Sequence, residues 1–479
     1  MPVAASIPIQ FGVFGVVFLA ALAAVQLQNF ALLIAGAVLL AATVVLLIRP
    51  EWNIPLVLFC LYANVAVVAM KFHGVPGIVA KLAPAPLLIP ILKSVLLEGA
   101  PIVIPKTVRW IFLFLIVQFV SALLSFRPGH AIDSVMTSVL EGFAIYFIVV
   151  NAIRTKPTVT AAAWAFLAAG AFMGFLSFAQ QVTPSSDYDF GGFAQLAENE
   201  GFHVESGHGT VRQRRHCGPI GEQNRYAQIM LMLVPIGISV IFMSTKKLTR
   251  TLAAVATLLT VLGCALTFSR GVAIGGVLVV VAASCFGFVR WKHLAIIMLC
   301  GLVMVVSLPQ YRTRLATISS SLGILQEKGV DAEPDGAIRG RATAMLAAAR
   351  IWMDYPILGI GPDLSQEVTR QYGIQGGFRS LEGNRKAHCL YLELGAEIGT
   401  LGLLAFMMIV VSSCRQLWRL VEGQHSELSI LSAGAMMAIV AFLATGLFLH
   451  FSYVRYFWMT LGFADAVSNI ASGQTSTKT

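Results

Sequence analysis

The dominant feature of this sequence is a succession of apolar runs, each close to the length of about twenty residues that an α-helix needs to cross a bilayer. Hydrophobic residues make up 57% of the chain and charged residues 12%, about half the charged share of a typical soluble domain. The sequence therefore predicts an all-α polytopic membrane protein with about 12–14 transmembrane helices. The runs lie near residues 10–26, 30–48, 54–70, 76–97, 107–125, 134–153, 158–180, 224–243, 251–268, 271–289, 293–308, 389–414, 427–446 and 451–470.

Charges between the runs predict how the chain crosses the membrane. Positive residues such as Arg49, Arg154 and Arg290 recur at alternate junctions, and such residues favour the cytoplasmic side. Both termini are then cytoplasmic, the first run is a retained span, and two long polar segments lie on the outer face. The predicted units are N-terminal transmembrane helices 1–180, a first periplasmic loop 181–223, transmembrane helices 224–308, a large periplasmic loop 309–388, C-terminal transmembrane helices 389–470 and a cytoplasmic tail 471–479.

The net charge of +10 is spread over junctions and loops instead of being gathered in one basic domain. Nucleic acid is therefore not a predicted partner, and membrane orientation together with an anionic ligand explains the charge better. The seven cysteines follow no disulfide framework or zinc spacing. Cys217 and Cys389 are the only ones predicted on the outer side, and a disulfide between them stays open.

The large loop is predicted to be partly helical. Residues 339–355 have the pattern of an amphipathic helix that rests on the membrane surface. Pro356 ends this helix, and Pro362 suits the first position of a short helix that begins at Asp363. The residues predicted on the apolar side of the first helix are Met345, Ala349, Trp352 and Met353.

The run at 76–97 is unusual because it contains four prolines around Lys81. Proline removes a backbone donor and bends a helix. The run is therefore either a broken or re-entrant helix, whose unpaired backbone groups are buried in protein, or a kinked span.

A polar loop becomes an apolar helix at residues 385–402, and His388 lies at that boundary. In the first turn of a helix, the dipole disfavours imidazolium, so His388 is predicted to be a neutral base near pH 7. Gly395, Gly399 and Gly402 share its helix face and allow another helix to pack closely. Either of two glutamates suits orienting the imidazole or pairing with an arginine. The polar residues around His388 are Arg385, Lys386, Glu393 and Glu397.

Arginines concentrate at the end of the first loop. Arg212, Arg214 and Arg215, with Arg225 further along, surround the start of a span. Guanidinium groups bind phosphate through paired hydrogen bonds and keep their charge at any usable pH. The alternative is that these arginines rest on anionic lipid headgroups. Asn224 is predicted to cap the helix that follows.

Arg270 has a different setting, in a short turn. The segment 267–271 separates two apolar runs with no room for a longer loop, which puts Arg270 near the outer membrane boundary. An ionisable side chain at such depth is costly and indicates a functional site by default. A snorkelling arginine at a tight turn is the alternative.

Four short motifs follow one another over about residues 210–415. They are Arg215-x-x-Gly218 with Asn224-x-x-Ala227, Ser269-Arg270-Gly271, Trp352 followed by Pro356-x-x-Gly359-x-Gly361-Pro362, and His388-x-x-Tyr391-Leu392-x-x-Gly395-x-x-Gly399-x-x-Gly402. In this order they resemble the bacterial O-antigen ligase and O-antigen polymerase superfamily. The first two hundred residues are similar only as generic spans. Cys389 stands where many members have asparagine, so a hydrogen bond from that asparagine is absent here.

The resemblance implies a C-type membrane glycosyltransferase, which acts at the periplasmic face of the bacterial inner membrane on glycans carried by undecaprenyl diphosphate. It implies that Arg215 and Arg270 bind the donor diphosphate and that His388 is the catalytic base. Which of Arg212, Arg214 and Arg215 aligns with the family arginine stays open. The expected reaction is inverting and uses no metal or cofactor. The residues assigned supporting roles are Asn224, Tyr391, Glu393 and Arg385.

The implied partners are the lipid-linked oligosaccharide donor, a glycan or lipid A-core acceptor, the lipid bilayer and other polysaccharide assembly proteins. A polymerase that extends a repeat-unit chain and a ligase that transfers a finished chain use the same chemistry. Similarity to exopolysaccharide polymerases slightly favours the polymerase. The alternative from another class is a secondary transporter of an organic anion, because many spans and buried cations also suit transport. Charges gathered at one face favour the enzyme.

Overall fold

The computed structural model describes residues 52–183, 188–197, 202–206, 209–292, 294–295, 299, 336–375, 386–423, 426–451 and 455–473. These ranges are mainly helical, which confirms the all-α class. The predicted runs at 10–26 and 30–48 and most of the run at 293–308 lie outside the described residues.

Seven of the described helices are long and apolar enough to cross a membrane, or eight if the bent pair Asn53–Tyr62 and Val65–Phe72 forms one span. Two further apolar helices, Val108–Leu123 and Arg270–Cys285, are shorter. The helices are α1 Asn53–Tyr62, α2 Val65–Phe72, α3 Gly77–Leu97, α4 Val108–Leu123, α5 Pro128–Ala152, α6 Lys156–Val182, α7 Gln223–Met243, α8 Lys247–Ala265, α9 Arg270–Cys285, α10 Gly336–Asp354, α11 Ser365–Gln375, α12 Leu390–Gly423, α13 Glu427–Gly446 and α14 Arg455–Ala471.

Irregular helix geometry appears in three places in the N-terminal half. The helix α3 is one continuous span, the kinked alternative of the sequence prediction, and is built from short α, 3₁₀ and π segments. The break occurs in the preceding run instead, where α1 and α2 meet at 52° and Asn64 has a left-handed backbone with φ of 60°. Within α5, residues Ser138–Phe143 form a π-helical segment.

The core is formed by long helices with few charges. The helix α7 packs against α8 and α13, and α6 packs against α8 and α1. A buried carboxylate joins three other helices, because Asp465 of α14 accepts hydrogen bonds from Tyr146 of α5 and Ser413 of α12, each 2.6 Å long. Burial requires such partners for a polar group, so this cluster fixes how α5, α12 and α14 pack.

The first loop contains two small antiparallel sheets, a β element that the all-α prediction did not include. Asn64 holds the loop to the break between α1 and α2 by donating to the Pro219 carbonyl at 2.7 Å. His73 contacts the Gly191 carbonyl at 2.9 Å. The strands are β1 Gln195–Leu196 paired with β4 His216–Gly218, and β2 Phe202–Ser206 paired with β3 Gly209–Gln213.

The helix α10 confirms the predicted helix in the large loop, but its buried face is different. The structure packs α10 against α12, and its most buried residues are Ala344, Ala347, Ala348 and Ile351. Met353, predicted on the apolar side, is 75% exposed, because the contact with α12 selects small side chains. The helix ends at Asp354, before Pro356 as predicted. The next helix begins at Ser365 instead of Asp363, whose φ of 61° is left-handed.

Candidate active site

One amide joins the first loop to the turn between α8 and α9. The Asn224 Oδ1 atom accepts hydrogen bonds from Arg215 Nη2 at 2.8 Å and from Ser269 Oγ at 2.9 Å. Arg215 is buried, and its Nε also donates to the Thr267 carbonyl at 2.9 Å. The predicted cap at Asn224 was wrong, because Glu222 caps α7 by accepting from the backbone N–H groups of Asn224 and Arg225.

Arg270 is the first residue of α9 and is half-buried. The short turn predicted here is confirmed, since only residues 266–269 separate α8 from α9. Ser269 occupies the N-cap position without capping the helix, because its hydroxyl donates to Asn224. Backbone N–H groups and the positive end of a helix dipole favour anions at such a terminus. Gly271 packs against Phe448, which brings the loop after α13 to the same place.

Arg225 is a site residue that the sequence interpretation did not select. Its side chain is 1% exposed; Nη1 donates to Gln228 Oε1 and Nη2 donates to the His450 carbonyl, both at 2.6 Å. It therefore joins α7 to the loop after α13. A cation in the first turn of an apolar helix opposes the helix dipole, and this unusual placement was the available signal.

His388 does not lie in the first turn of the helix. The helix α12 begins at Leu390, and His388 precedes it with a left-handed φ of 51°, so the dipole argument does not apply as predicted. Non-glycine residues with this conformation cost of order 1–3 kcal/mol and concentrate at functional sites. The imidazole packs edge-on against His450, with ring centroids 5.5 Å apart.

His450 is a second histidine that the sequence interpretation missed. Burial, together with the positive charges of Arg225, Lys386 and His388, lowers the pKa of His450 to about 2. His450 therefore stays neutral at physiological pH. The ring that packs against His388 consequently adds no positive charge beside it.

Both predicted glutamates organise loops. Glu393 is 2% exposed and accepts a hydrogen bond from the backbone N–H of Phe451. Glu397 accepts from the backbone N–H of Asp363 at 2.9 Å and from Ser365 Oγ at 2.7 Å. These contacts attach the loop after α13 and the segment before α11 to the first turns of α12.

Lys386 is paired at the start of the same segment. Its Nζ lies 2.9 Å from Asp363 Oδ1. Burial disfavours the ammonium, but the negative charges of Glu393, Glu397 and Asp363 outweigh this effect and raise the pKa of Lys386. Tyr391, the predicted supporting residue, donates to the Leu443 carbonyl at 2.8 Å and holds α12 to α13.

The predicted glycine face on α12 is used mainly by a loop. Gly399 has a non-helical backbone and kinks α12. At the kink, backbone groups of α12 form hydrogen bonds with backbone groups of the loop 356–361. A Cβ atom on Gly399 would clash with the Ile357 carbonyl, and Trp352 of α10 covers Gly395. The loop hydrogen bonds run from Ile360 to Ala396, Gly361 to Glu397, Thr400 to Pro356 and Leu401 to Ile357, at 2.8–3.3 Å.

An open cleft of about 350 Å³ lies beside this junction. Its residues from α4 and α5 were not predicted as site residues. We call this feature the acidic cleft. Its lining residues are Gln118, His130, Asp133, Ser134, Thr137, Ser138, Glu141, Pro362, Asp363, Lys386, Glu393, Leu394, Glu397, Ile398 and Phe451.

The remaining predicted residues do not take part in the contacts described above. Arg214 is exposed, whereas Arg385 and the side chain of Arg212, which belongs to β3, lie outside what the structure describes. Cys217 and Cys389 are separate buried thiols, so the disulfide left open by the sequence is not formed.

A comparison with known families now adds to this geometry. Residues 255–407, about a third of the chain, match the family model described as O-antigen ligase. This segment of the chain is therefore similar to the O-antigen ligase family. No curated protein matches the chain.

The segment that matches the O-antigen ligase family includes part of the candidate site. It covers the turn with Arg270, His388 and the kink at Gly399, and it supports a glycosyltransferase-like enzyme at the family level. Arg215 and Asn224 precede the matched segment, as do α4 and α5 with their part of the acidic cleft. These elements are therefore interpreted from contacts alone.

Proposed function

We propose that this protein transfers glycan from an undecaprenyl-diphosphate donor to an acceptor hydroxyl at the periplasmic face of the bacterial inner membrane. One set of contacts carries the proposal. Asn224 joins Arg215 to the turn that holds Arg270, and the next residue, Arg225, binds the loop of His450, which packs against His388. Fixed cations and a candidate base thus occupy one end of the helix bundle.

In this proposal, Arg270 and the N-terminus of α9 bind the donor diphosphate, and the exposed Arg214 contributes at the rim. Two fixed guanidinium hydrogen bonds give Arg215 a positioning role, because they hold the turn that presents Arg270. Arg212 stays a predicted further phosphate contact. Placing cations where charge develops stabilises a leaving diphosphate without a metal ion.

The proposed reaction is a single displacement. The acceptor oxygen bonds to the anomeric carbon while the bond from that carbon to the phosphate oxygen breaks, and the electron pair leaves with the diphosphate. His388 accepts the proton of the acceptor hydroxyl, a general-base contribution of about 10²–10⁴-fold. One displacement inverts the anomeric centre. Of the two family reactions, we favour polymerisation, on the resemblance given above.

The test is a transfer assay on purified protein in lipid nanodiscs. Lipid-linked glycan from the source membrane is supplied alone or with lipid A-core, with and without a chelator. A product ladder from the donor alone indicates a polymerase, and a single transfer to lipid A-core indicates a ligase. The proposal is contradicted by the absence of any transfer, or by a loss in chelator that magnesium restores.

A further inference from the structure

The acidic cleft is lined by the buried amide side chain of Gln118. Gln118 lies within the apolar helix α4, is 4% exposed, and its Oε1 atom has no hydrogen-bond partner among the described residues. A buried polar atom without a partner is destabilising by about 1–3 kcal/mol. Because Gln118 lines the cleft, a ligand that donates a hydrogen bond would satisfy this oxygen.

The opposite wall of the cleft comes from α5, where the helix is irregular. Ser138 and Glu141 line the cleft and belong to the π-helical segment Ser138–Phe143. Segments of this kind are rare and are frequent at functional sites. An ionisable residue such as Glu141 within a candidate span also indicates a functional site by default.

The charges of the cleft restrict what it can bind. Carboxylates outnumber basic groups, and Lys386 and His130 both pair with Asp363. An anion such as a diphosphate is repelled by the exposed carboxylates of Asp133 and Glu141, whereas carboxylates and amides accept hydrogen bonds from sugar hydroxyls or from an amino sugar. No three His, Cys, Asp or Glu side chains in the described ranges converge as a metal site requires. The carboxylates are Asp133, Glu141, Asp363, Glu393 and Glu397.

The acidic cleft also lies beside the proposed base, His388. His388 lies between two lining residues, Lys386 and Glu393, along the chain, and its ring packs against His450, next to the lining residue Phe451. The volume of about 350 Å³ is near the lower end of ligand pockets, which span about 300–1,000 Å³. A short terminal piece of glycan fits this size.

We propose that the acidic cleft binds the acceptor, through the uncharged or amino sugar that carries the attacking hydroxyl. This inference rests on the proposed glycosyl transfer. Gln118 and Asp133 bind sugar hydroxyls, and the carboxylates exclude the donor diphosphate from this side of His388. The two substrates are thereby separated by charge.

The test measures initial rates of Gln118→Leu and Asp133→Asn, with the acceptor that supports transfer in the assay above. We expect the KM for acceptor to rise at least about tenfold, the loss typical of a hydrogen bond to a charged or buried group, while the KM for donor stays unchanged. Glu422→Gln is the matched control, because Glu422 is exposed near the far end of α12. Thermal stability of Gln118→Leu should not fall, since leucine removes the unpaired oxygen without leaving a cavity.

The outcomes separate the two proposals. Absence of transfer by the wild-type protein overturns the function itself. If the wild-type protein transfers glycan but both variants keep the acceptor KM, the acceptor site is wrong and the function stands. A rise in the donor KM instead of the acceptor KM assigns the cleft to the donor and also overturns the acceptor site.

Discussion

Two regions at the same end of the bundle have opposite chemistry. On one side, Arg270 begins α9 beside a turn held by Arg215 and Asn224. On the other side lies the acidic cleft, whose side chains come mainly from α5 and the first turns of α12. His388 and His450 lie where the two regions meet, because Arg225 binds the His450 loop from the first side and Glu393 binds it from the second.

The difference in charge between the two regions indicates how one site can bind two large substrates in separate places. A diphosphate is attracted to the arginines and repelled by the carboxylates, whereas a neutral sugar can hydrogen bond to carboxylates without a charge penalty. A glycosyl transfer needs the donor and the acceptor on opposite sides of the base.

The largest effect is expected for His388→Ala, at the boundary. Turnover should fall by about 10²–10⁴-fold, because a general base is lost, while donor and acceptor binding survive. The measurement is product formation and substrate binding at matched expression and matched thermal stability. His73→Ala, which removes an exposed histidine, serves as the control. Near wild-type turnover in His388→Ala would return this residue to a structural role.

A smaller effect is expected for Arg270→Ala, on the basic side. Loss of a charge-assisted hydrogen bond should weaken donor use by about tenfold to a hundredfold and leave the acceptor KM unchanged. Arg270→Lys should recover only part of this loss, because an ammonium keeps the charge without the guanidinium fork. The control is Arg250→Ala, at the start of α8. An equal effect on the acceptor KM would break the division between the two regions.

The remaining prediction concerns stability, pH and His450, and it leaves turnover near pH 7 unchanged. Its folded-state pKa is lowered to about 2 by burial and by Arg225, Lys386 and His388, so only the unfolded chain binds its proton below about pH 6.5. The wild-type protein should therefore lose up to about 1.4 kcal/mol of stability per pH unit below 6.5 through this group. His450→Gln should remove that part of the loss.

The measurement is the unfolding temperature of wild-type and His450→Gln protein between pH 7 and pH 4.5. An identical acid dependence of the two proteins would show that burial and the neighbouring positive charges do not hold His450 neutral.

Features that depend on local sequence were predicted well. The apolar runs gave the helices, and the tight segment before Arg270 gave the turn between α8 and α9. Site residues that are brought together only by contacts between distant segments were not predicted. Gln118 and Glu141 are isolated polar residues in apolar runs, and only the packing of α4 against both α5 and α12 places them in one cleft. Glu222 displaced Asn224 as the helix cap because Asn224 is used by two partners from distant segments.

The kink at Gly399 has a consequence for how such an enzyme could diversify. The junction between the loop 356–361 and α12 is built mainly from main-chain hydrogen bonds, to which Ser121 of α4 adds side-chain hydrogen bonds to the Leu358 and Glu397 carbonyls. It therefore depends on backbone shape at the glycines more than on the side chains of the loop. Substitutions elsewhere in the loop can accumulate without moving the start of α12 or His388. The position of His388 is thus set by the backbone of the junction, independently of the side chains that the loop exposes.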